Sequence, residues 1–209
     1  EFRRVLFRSK VLEDLRQDHY LNYSELEQLK SLDPKKKLSI AEQITKDNSI
    51  PFDLTKHLAS GTSDKGIYGY LNKIGCPCVT TNYDELLEPH FFQTKDGSVT
   101  AAPVTRVFQK QNFLAGHLNT PGTVVHLHGA KSEQATMVVT TKQYLEHYDD
   151  ETVQHFLGEL FKKKTILFVG YGLEEAEILE HILRRGSVKD TKDKRRFVLM
   201  PFFLSQSPL

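Results

Sequence analysis

Thr80-Thr81-Asn82-Tyr83-Asp84 follows the apolar run Ile74-Gly75-Cys76-Pro77-Cys78-Val79 and precedes Glu85-Leu86-Leu87-Glu88. The run reads as a strand that stops at polar residues, and the segment after it reads as a helix. In an open α/β sheet, ligands sit at the carboxyl ends of strands, where helices begin. Two threonine hydroxyls, an amide and a carboxylate at such an edge make a compact set of donors and acceptors. Asn82 can donate and accept at once, which suits a ribose hydroxyl or a water. A helix cap, with Asp84 or Asn82 satisfying orphan N–H groups, reads the same residues differently. Taken alone, the pentapeptide fits the cap better.

Two later strand ends have the same design. Thr123-Val124-Val125-His126-Leu127-His128-Gly129 is an apolar run that ends in a histidine and a glycine. Histidine is the side chain whose ordinary pKa lies near neutral pH, and His128 precedes a residue that lets the backbone turn sharply, so it is a candidate general base. A histidine bonded to a neighbouring carbonyl has the same sequence signature. His126 shares the sheet face of His128 by period-two alternation but lies deeper in the strand, so His128 is the better catalytic candidate. Thr165-Ile166-Leu167-Phe168-Val169 is continuously apolar, as in a parallel strand buried on both faces, and runs into Gly170-Tyr171-Gly172. Ile178, Leu179, Ile182 and Leu183 then recur with helical spacing. Glycines at that turn allow a phosphate or ribose to approach the backbone beside a helix N-terminus. Glu174 and Glu175 would repel an anion there, so a ribose is the better guest.

In this order and spacing, TTNYDELLE at 80–88, HLHGA at 126–130 and FVGYGLEEAEI at 168–178 resemble the sirtuin-like (silent-information-regulator-like) family, in its bacterial zinc-free branch. Met137-Val138-Val139-Thr140-Thr141, followed by Gln143-Tyr144, looks like the strand and short helix that follow the histidine in that family. Gly172 stands where the family usually has serine, which removes one hydroxyl from the ribose site. The resemblance covers roughly residues 65 to 200. It implies a Rossmann-like, mostly parallel sheet that binds NAD as a substrate. It further implies that Asn82 positions the ribose and a nucleophile, that His128 acts as base, and that Asp84 contacts the nicotinamide side. Thr80, Thr81, Gly129, Gly170, Tyr171 and Gly172 complete the expected binding set.

Cysteine usage separates the activities of such a family. Its protein deacylases carry a four-cysteine zinc ribbon after the histidine, whereas Cys76 and Cys78 are the only cysteines here and both precede Asn82. Two thiols cannot complete a tetrahedral structural zinc site, so no metal is expected, and the pair reads as small apolar residues of a buried strand. Residues 130–136 are also too short to hold a ribbon and a peptide cleft. Hydrolysis of NAD is the preferred expectation, ahead of a non-catalytic NAD- or ADP-ribose-binding module and of a deacylase. Relatives are often fused to a sensor or repeat module in anti-phage defence. The resemblance therefore implies an effector with a fused sensor domain or a homo-oligomeric parent.

The first nine residues, Glu1-Phe2-Arg3-Arg4-Val5-Leu6-Phe7-Arg8-Ser9, resemble a common sequencing-adapter oligonucleotide read in frame. They are excluded from fold reasoning. Without their three arginines and one glutamate the formal charge moves from +1 to −1, so no nucleic-acid footprint is expected. The expected organisation is an adapter-derived segment over 1–9, a helical portion over 10–64 and the NAD-binding core over 65–209. The family's opening strand and Gly-Ala-Gly-like phosphate loop are not found. Gly61-Thr62-Ser63 reads instead as a helix stop, so the chain is expected to be an amino-terminally truncated fragment without a complete phosphate site. Leucines at 12, 15, 26, 29 and 32 read as helices broken near Asn22. Leu38–Asn48 and Phe52–Ser60 read as two more helices, and Lys35-Lys36-Lys37 as a solvated loop. Strands are expected at 76–80, 123–127, 136–140, 165–169 and 196–200, with 108–118 as an insertion over the pocket. No apolar run approaches the ~20 residues that span a bilayer, and two cysteines make no disulfide framework, which points to a reducing cytoplasm.

Overall fold

Asn22 and Asp33 decide where the amino-terminal helices begin. In the computed structural model, which describes residues 2–58, 66–89, 91–93, 95–101, 103–171, 178–180 and 196–199, α1 spans Phe2–Gln17, α2 Tyr23–Leu29 and α3 Pro34–Asp47. Asn22 and Glu25 form a reciprocal capping box at α2. At α3, Asp33 accepts from the Lys35 amide and Pro34 occupies the first turn. Lys35, Lys36 and Lys37 are therefore helical and not in a loop. The aspartate cap and the proline outweigh the modest penalty of cations at a helix N-terminus. Among the described residues a 3-10 turn, Thr55–His57, forms where a helix is expected from Phe52, and Asp53 takes both the amide and the hydroxyl of Thr55. Residues 59–65, including Gly61-Thr62-Ser63, lie outside the described residues.

The chain divides into two compact units, Phe2–Val153 and Gln154–Leu209. In the first, Val11, Leu12, Leu15, Leu26 and Leu38 form one buried cluster with Tyr83, Met137 and Val139. The helical portion thus shares a core with the segment that carries Asn82. A short helix, α4 (Ile67–Leu71), precedes β1 (Cys78–Thr80). β2 (Phe91–Gln93) and β3 (Val99–Ala101) pair as an antiparallel hairpin. β4 (Thr105–Val107) and β5 (Thr123–His126) complete a parallel sheet in the order β1-β5-β4. β5 is buried at all four positions, Thr123 and His126 included, as expected of a central parallel strand covered on both faces. The expected insertion over 108–118 is the β4–β5 connection. It is built of 3-10 turns at Lys110–Asn112 and Ala115–Asn119, with Phe113 and Leu118 buried.

Two expected elements are replaced by irregular backbone whose hydrogen bonds go both to side chains and to backbone outside any ladder. Residues 85–88 are not helical. The Leu86 amide donates to Asp84 Oδ1 (3.2 Å) and the Glu88 amide to Asn72 Oδ1 (2.7 Å), while Arg106 donates to the Glu85 carbonyl (3.1 Å) and the Glu88 carboxylate (3.0 Å). Residues 136–140 form no strand either. After a 3-10 turn at Gln134–Thr136, the Val138 amide donates to the His128 carbonyl (3.0 Å) and the Val139 amide to Gln143 Oε1 (2.9 Å). Tyr83 donates its hydroxyl to the Val138 carbonyl at 2.7 Å. Buried backbone groups need partners of any kind, and these side chains supply them where a ladder would. Thr140 then caps α5 (Thr141–Tyr148) in a second capping box with Gln143.

α6 (Glu151–Lys163) runs across the division, and Lys162 and Lys163 close it as the helix dipole favours. In the second unit, β6 (Ile166–Val169) and β7 (Arg196–Leu199) pair in parallel in register, Ile166 against Arg196. Phe161, Phe168 and Tyr171 stack in sequence, and Arg196 donates to the Phe161 carbonyl at 3.1 Å. Among the described residues every strand pairing except the β2–β3 hairpin is parallel. The fold is a Rossmann-like α/β arrangement flanked by helices, with a helical amino-terminal portion. No helix among the described residues is long and apolar enough to cross a membrane.

Candidate functional site

Parallel pairing aligns the carboxyl ends of β1 and β5. Thr80 lies opposite His126, and the Leu127 amide reaches the Thr80 carbonyl at 2.8 Å. Asn82 and His128 therefore leave adjacent strands two residues past one register line. The Asn82 backbone amide donates to Thr80 Oγ1 (3.1 Å), which ties the turn to the strand, and Thr81 between them is half-buried. The Asn82 side chain donates through Nδ2 to the Tyr68 hydroxyl (3.3 Å), and Tyr68 donates to Asp84 Oδ2 (3.2 Å). With its NH2 so engaged, the amide keeps Oδ1 as an acceptor for a ligand hydroxyl or a water.

His126 serves this turn. It is fully buried, and its Nδ1–H donates to the Asn82 carbonyl at 3.3 Å. Burial pulls its pKa below the ordinary histidine value, so it stays neutral. Its Nε2 is buried without a hydrogen-bond partner among the described residues. Alternation would place His126 and His128 on one face, but β5 ends at His126 and the chain turns, so the two rings have different neighbours.

His128 is enclosed by one face of α5. Tyr144, His147 and Tyr148 recur at i, i+3 and i+4 and so lie together on the helix. His128 Nε2 lies 2.7 Å from the Tyr148 hydroxyl, and Nδ1 lies 3.3 Å from the Tyr144 hydroxyl. The three rings meet it edge-on, with centroids 4.8 Å (Tyr144), 5.8 Å (Tyr148) and 6.0 Å (His147) away. None of the His128 surface is exposed. From α3, the Lys35 ammonium sits 3.8 Å above the centre of the Tyr144 ring, a cation–π contact.

Asn82, Asp84 and the unanticipated Tyr68 thus form one hydrogen-bonded group, and His128 with the α5 aromatics forms another, at neighbouring strand ends. Tyr68 carries no sequence signal, but the 144–147–148 spacing on a helix does. Gly129 follows with φ +75°, and Thr136 fills the space that a side chain there would need. Gly170 and Tyr171 belong to the second unit. Gly170 has φ +61° and no atom of the described residues within 4 Å of the Cβ position, and Gly172 lies outside the described residues. The acceptor amide oxygen of Asn82 suits a ribose hydroxyl. Cys76 is exposed and is not part of a buried strand, whereas Cys78 is half-buried, with burial pushing its thiol up to about 11. No cluster of metal-ligating side chains occurs among the described residues.

The aromatic cage has a consequence for acid stability. Burial first, and Lys110 second, lower His147 from 6.5 to about 4, against the opposing pull of Asp150. A depressed histidine pKa means that the unfolded chain binds the proton more tightly. The stabilisation is fully present above about pH 6.5 and is lost as pH falls towards 4, at up to ~1.4 kcal/mol per unit. His126 adds in the same direction. Urea unfolding is expected to show a cumulative loss of about 3 kcal/mol from His147 across that window. His147→Gln is expected to flatten the profile, and a wild-type midpoint independent of pH from 7 to 4.5 would refute the assignment.

Residues 78–208, well over half of the chain, match the sequence model of a family described as the SIR2-like domain.

Proposed function

Because the chain belongs to the SIR2-like domain family, we propose that it hydrolyses NAD+ at the bond between nicotinamide and ribose. Membership assigns a sirtuin-like, NAD-related function, and hydrolysis is the specific reading. The observation that supports it is the parallel pairing of β1 with β5, which leaves an acceptor amide and an imidazole at adjacent strand ends. NAD+ would supply a leaving group, nicotinamide, and a ribose carbon open to water. Asn82 Oδ1 would hold the ribose hydroxyl or the water, Asp84 would lie to the nicotinamide side, and His128 would take the proton. Thr80, Thr81, Gly129, Gly170, Tyr171 and Gly172 would contribute to binding. Such a domain would serve as a cytoplasmic anti-phage effector, depleting NAD+ when a fused sensor or a partner copy signals.

A second reading, a non-catalytic NAD- or ADP-ribose-binding module, is favoured by the complete enclosure of His128. The discriminating measurement is nicotinamide release from NAD+ without any acyl-peptide, beside thermal shifts with NAD+ and ADP-ribose. Hydrolysis predicts nicotinamide and ADP-ribose in equal amounts. Stabilisation by ADP-ribose without turnover would replace hydrolysis with the binding module. Release only on addition of acyl-peptide would replace it with a deacylase.

A further inference from the structure

We propose that Tyr148 is the proton relay of this site, carrying a proton between a bound hydroxyl and the buried His128; the inference rests on His128 acting as base. A histidine with no exposed surface cannot touch a substrate, so any proton it accepts must arrive through a side chain that touches it. Two tyrosine hydroxyls of α5 are placed to carry it. Tyr148 is the nearer, at 2.7 Å from Nε2, and it keeps 7 % of its surface against 1 % for Tyr144. Of the two, the geometry favours Tyr148.

The hydrogen bonds also assign the tautomer. A neutral imidazole has one donor and one acceptor nitrogen. A phenol O–H is a good donor to an imidazole lone pair, and the shorter bond marks Nε2 as that acceptor. Nδ1 then carries the hydrogen and donates to Tyr144 Oη at 3.3 Å. In the relay, the O–H bond of a ligand hydroxyl or water breaks and its proton joins Tyr148 Oη. The Tyr148 O–H bond breaks in the same step, and that proton joins Nε2. His128 becomes imidazolium, Tyr148 remains neutral, and the deprotonated oxygen becomes the nucleophile. Tyr144 Oη accepts from the imidazolium, while the Lys35 ammonium over the Tyr144 ring disfavours a lasting positive charge, so the proton is readily returned.

The test pairs a spectrum with kinetics on the full chain. In ¹⁵N NMR spectra, His128 is expected to show an unprotonated Nε2 and a protonated Nδ1, and Tyr148→Phe is expected to shift the Nε2 signal or mix the tautomers. An Nε2–H tautomer in the wild type would overturn the relay whether or not the protein turns over. In nicotinamide release, Tyr148→Phe is expected to lower kcat about 10²-fold or more with KM within about twofold, and Tyr144→Phe to lower it less than tenfold. Tyr148→Phe with kcat within threefold of wild type, while His128→Ala is inactive, would overturn the relay alone. Full activity in His128→Ala would overturn the reading on which it rests.

Discussion

Nicotinamide release from NAD+ is expected to fall by about 10²–10⁴-fold in His128→Ala, the range that a positioned general base contributes. A fall of similar order is expected in Asn82→Ala. The two variants differ in what else they disturb. Removing the His128 ring empties a fully buried position and breaks its bonds to the Tyr144 and Tyr148 hydroxyls, which destabilises the protein. Activity in that variant must be expressed per folded molecule, and His128→Gln offers a check that retains polar atoms at the position. Asn82 is half-buried, and its amide donates to a tyrosine hydroxyl that keeps its bond to Asp84. Its removal is expected to cost no more than about 1 kcal/mol, the usual worth of one hydrogen bond. Asn82→Ala therefore separates chemistry from folding more cleanly. Retention of more than a tenth of wild-type release by both folded variants would remove them from the mechanism.

Those two residues were visible in the sequence because each lies at a strand end with a recognisable period before it. β1, β5, β6 and β7 fall within the segments expected from apolar runs, and the break between α1 and α2 falls at a residue whose side chain is a preferred cap. What stayed hidden was decided by residues distant in sequence. Residues 85–88 have the composition of a helix, yet Asn72 and Arg106 take up their polar groups. Residues 136–140 alternate too little to reject a strand, yet Tyr83 and Gln143 satisfy their backbone. β4 spans only Thr105–Val107, too short for a period to emerge, and it exists because β5 offers it a parallel edge.

The site divides along the same line. The chemical identities of Asn82, Asp84 and His128 were legible from local motifs, whereas their partners were not. Tyr68 precedes the motif it serves, in a short helix with no distinctive pattern, and its hydroxyl acquires meaning only through Asn82 and Asp84. Tyr144 and Tyr148 look like ordinary core aromatics of an amphipathic helix until the turn after β5 brings His128 between their hydroxyls. A base candidate at a strand end therefore turned out to be enclosed, which no spacing argument reveals.

Gly129→Ala is expected to destabilise the protein by about 2–5 kcal/mol, the sum of left-handed backbone strain and overpacking. At φ +75°, an L-residue is strained whatever its surroundings. The added Cβ would also fall well inside van der Waals contact with the Thr136 carbonyl group, which is backbone and cannot rotate away. Thr136 is itself fixed, since its amide and hydroxyl both donate to the Glu133 carbonyl, and Oγ1 accepts from the Ala130 amide at 3.2 Å. Relief would mean breaking that turn, which supports the segment leading to Thr140 and α5. Two other glycines isolate the terms. Gly66 has φ +67° and ψ −141°, a positive-φ conformation close to glycine-only. Nothing among the described residues lies within 4 Å of a Cβ there, so Gly66→Ala bears the backbone strain alone, about 1–3 kcal/mol. Gly116 is equally open and is not in the left-handed region, so Gly116→Ala is expected to stay within about 0.5 kcal/mol of wild type. For a chain of this size each kcal/mol lowers Tm by roughly 2–4 °C, so the three variants should be resolved in one thermal scan. The order Gly129 > Gly66 > Gly116 is the expected result. A Gly129→Ala protein with wild-type Tm but weakened NAD+ binding would mean instead that this glycine is there for the ligand, and that Thr136 yields to a methyl group.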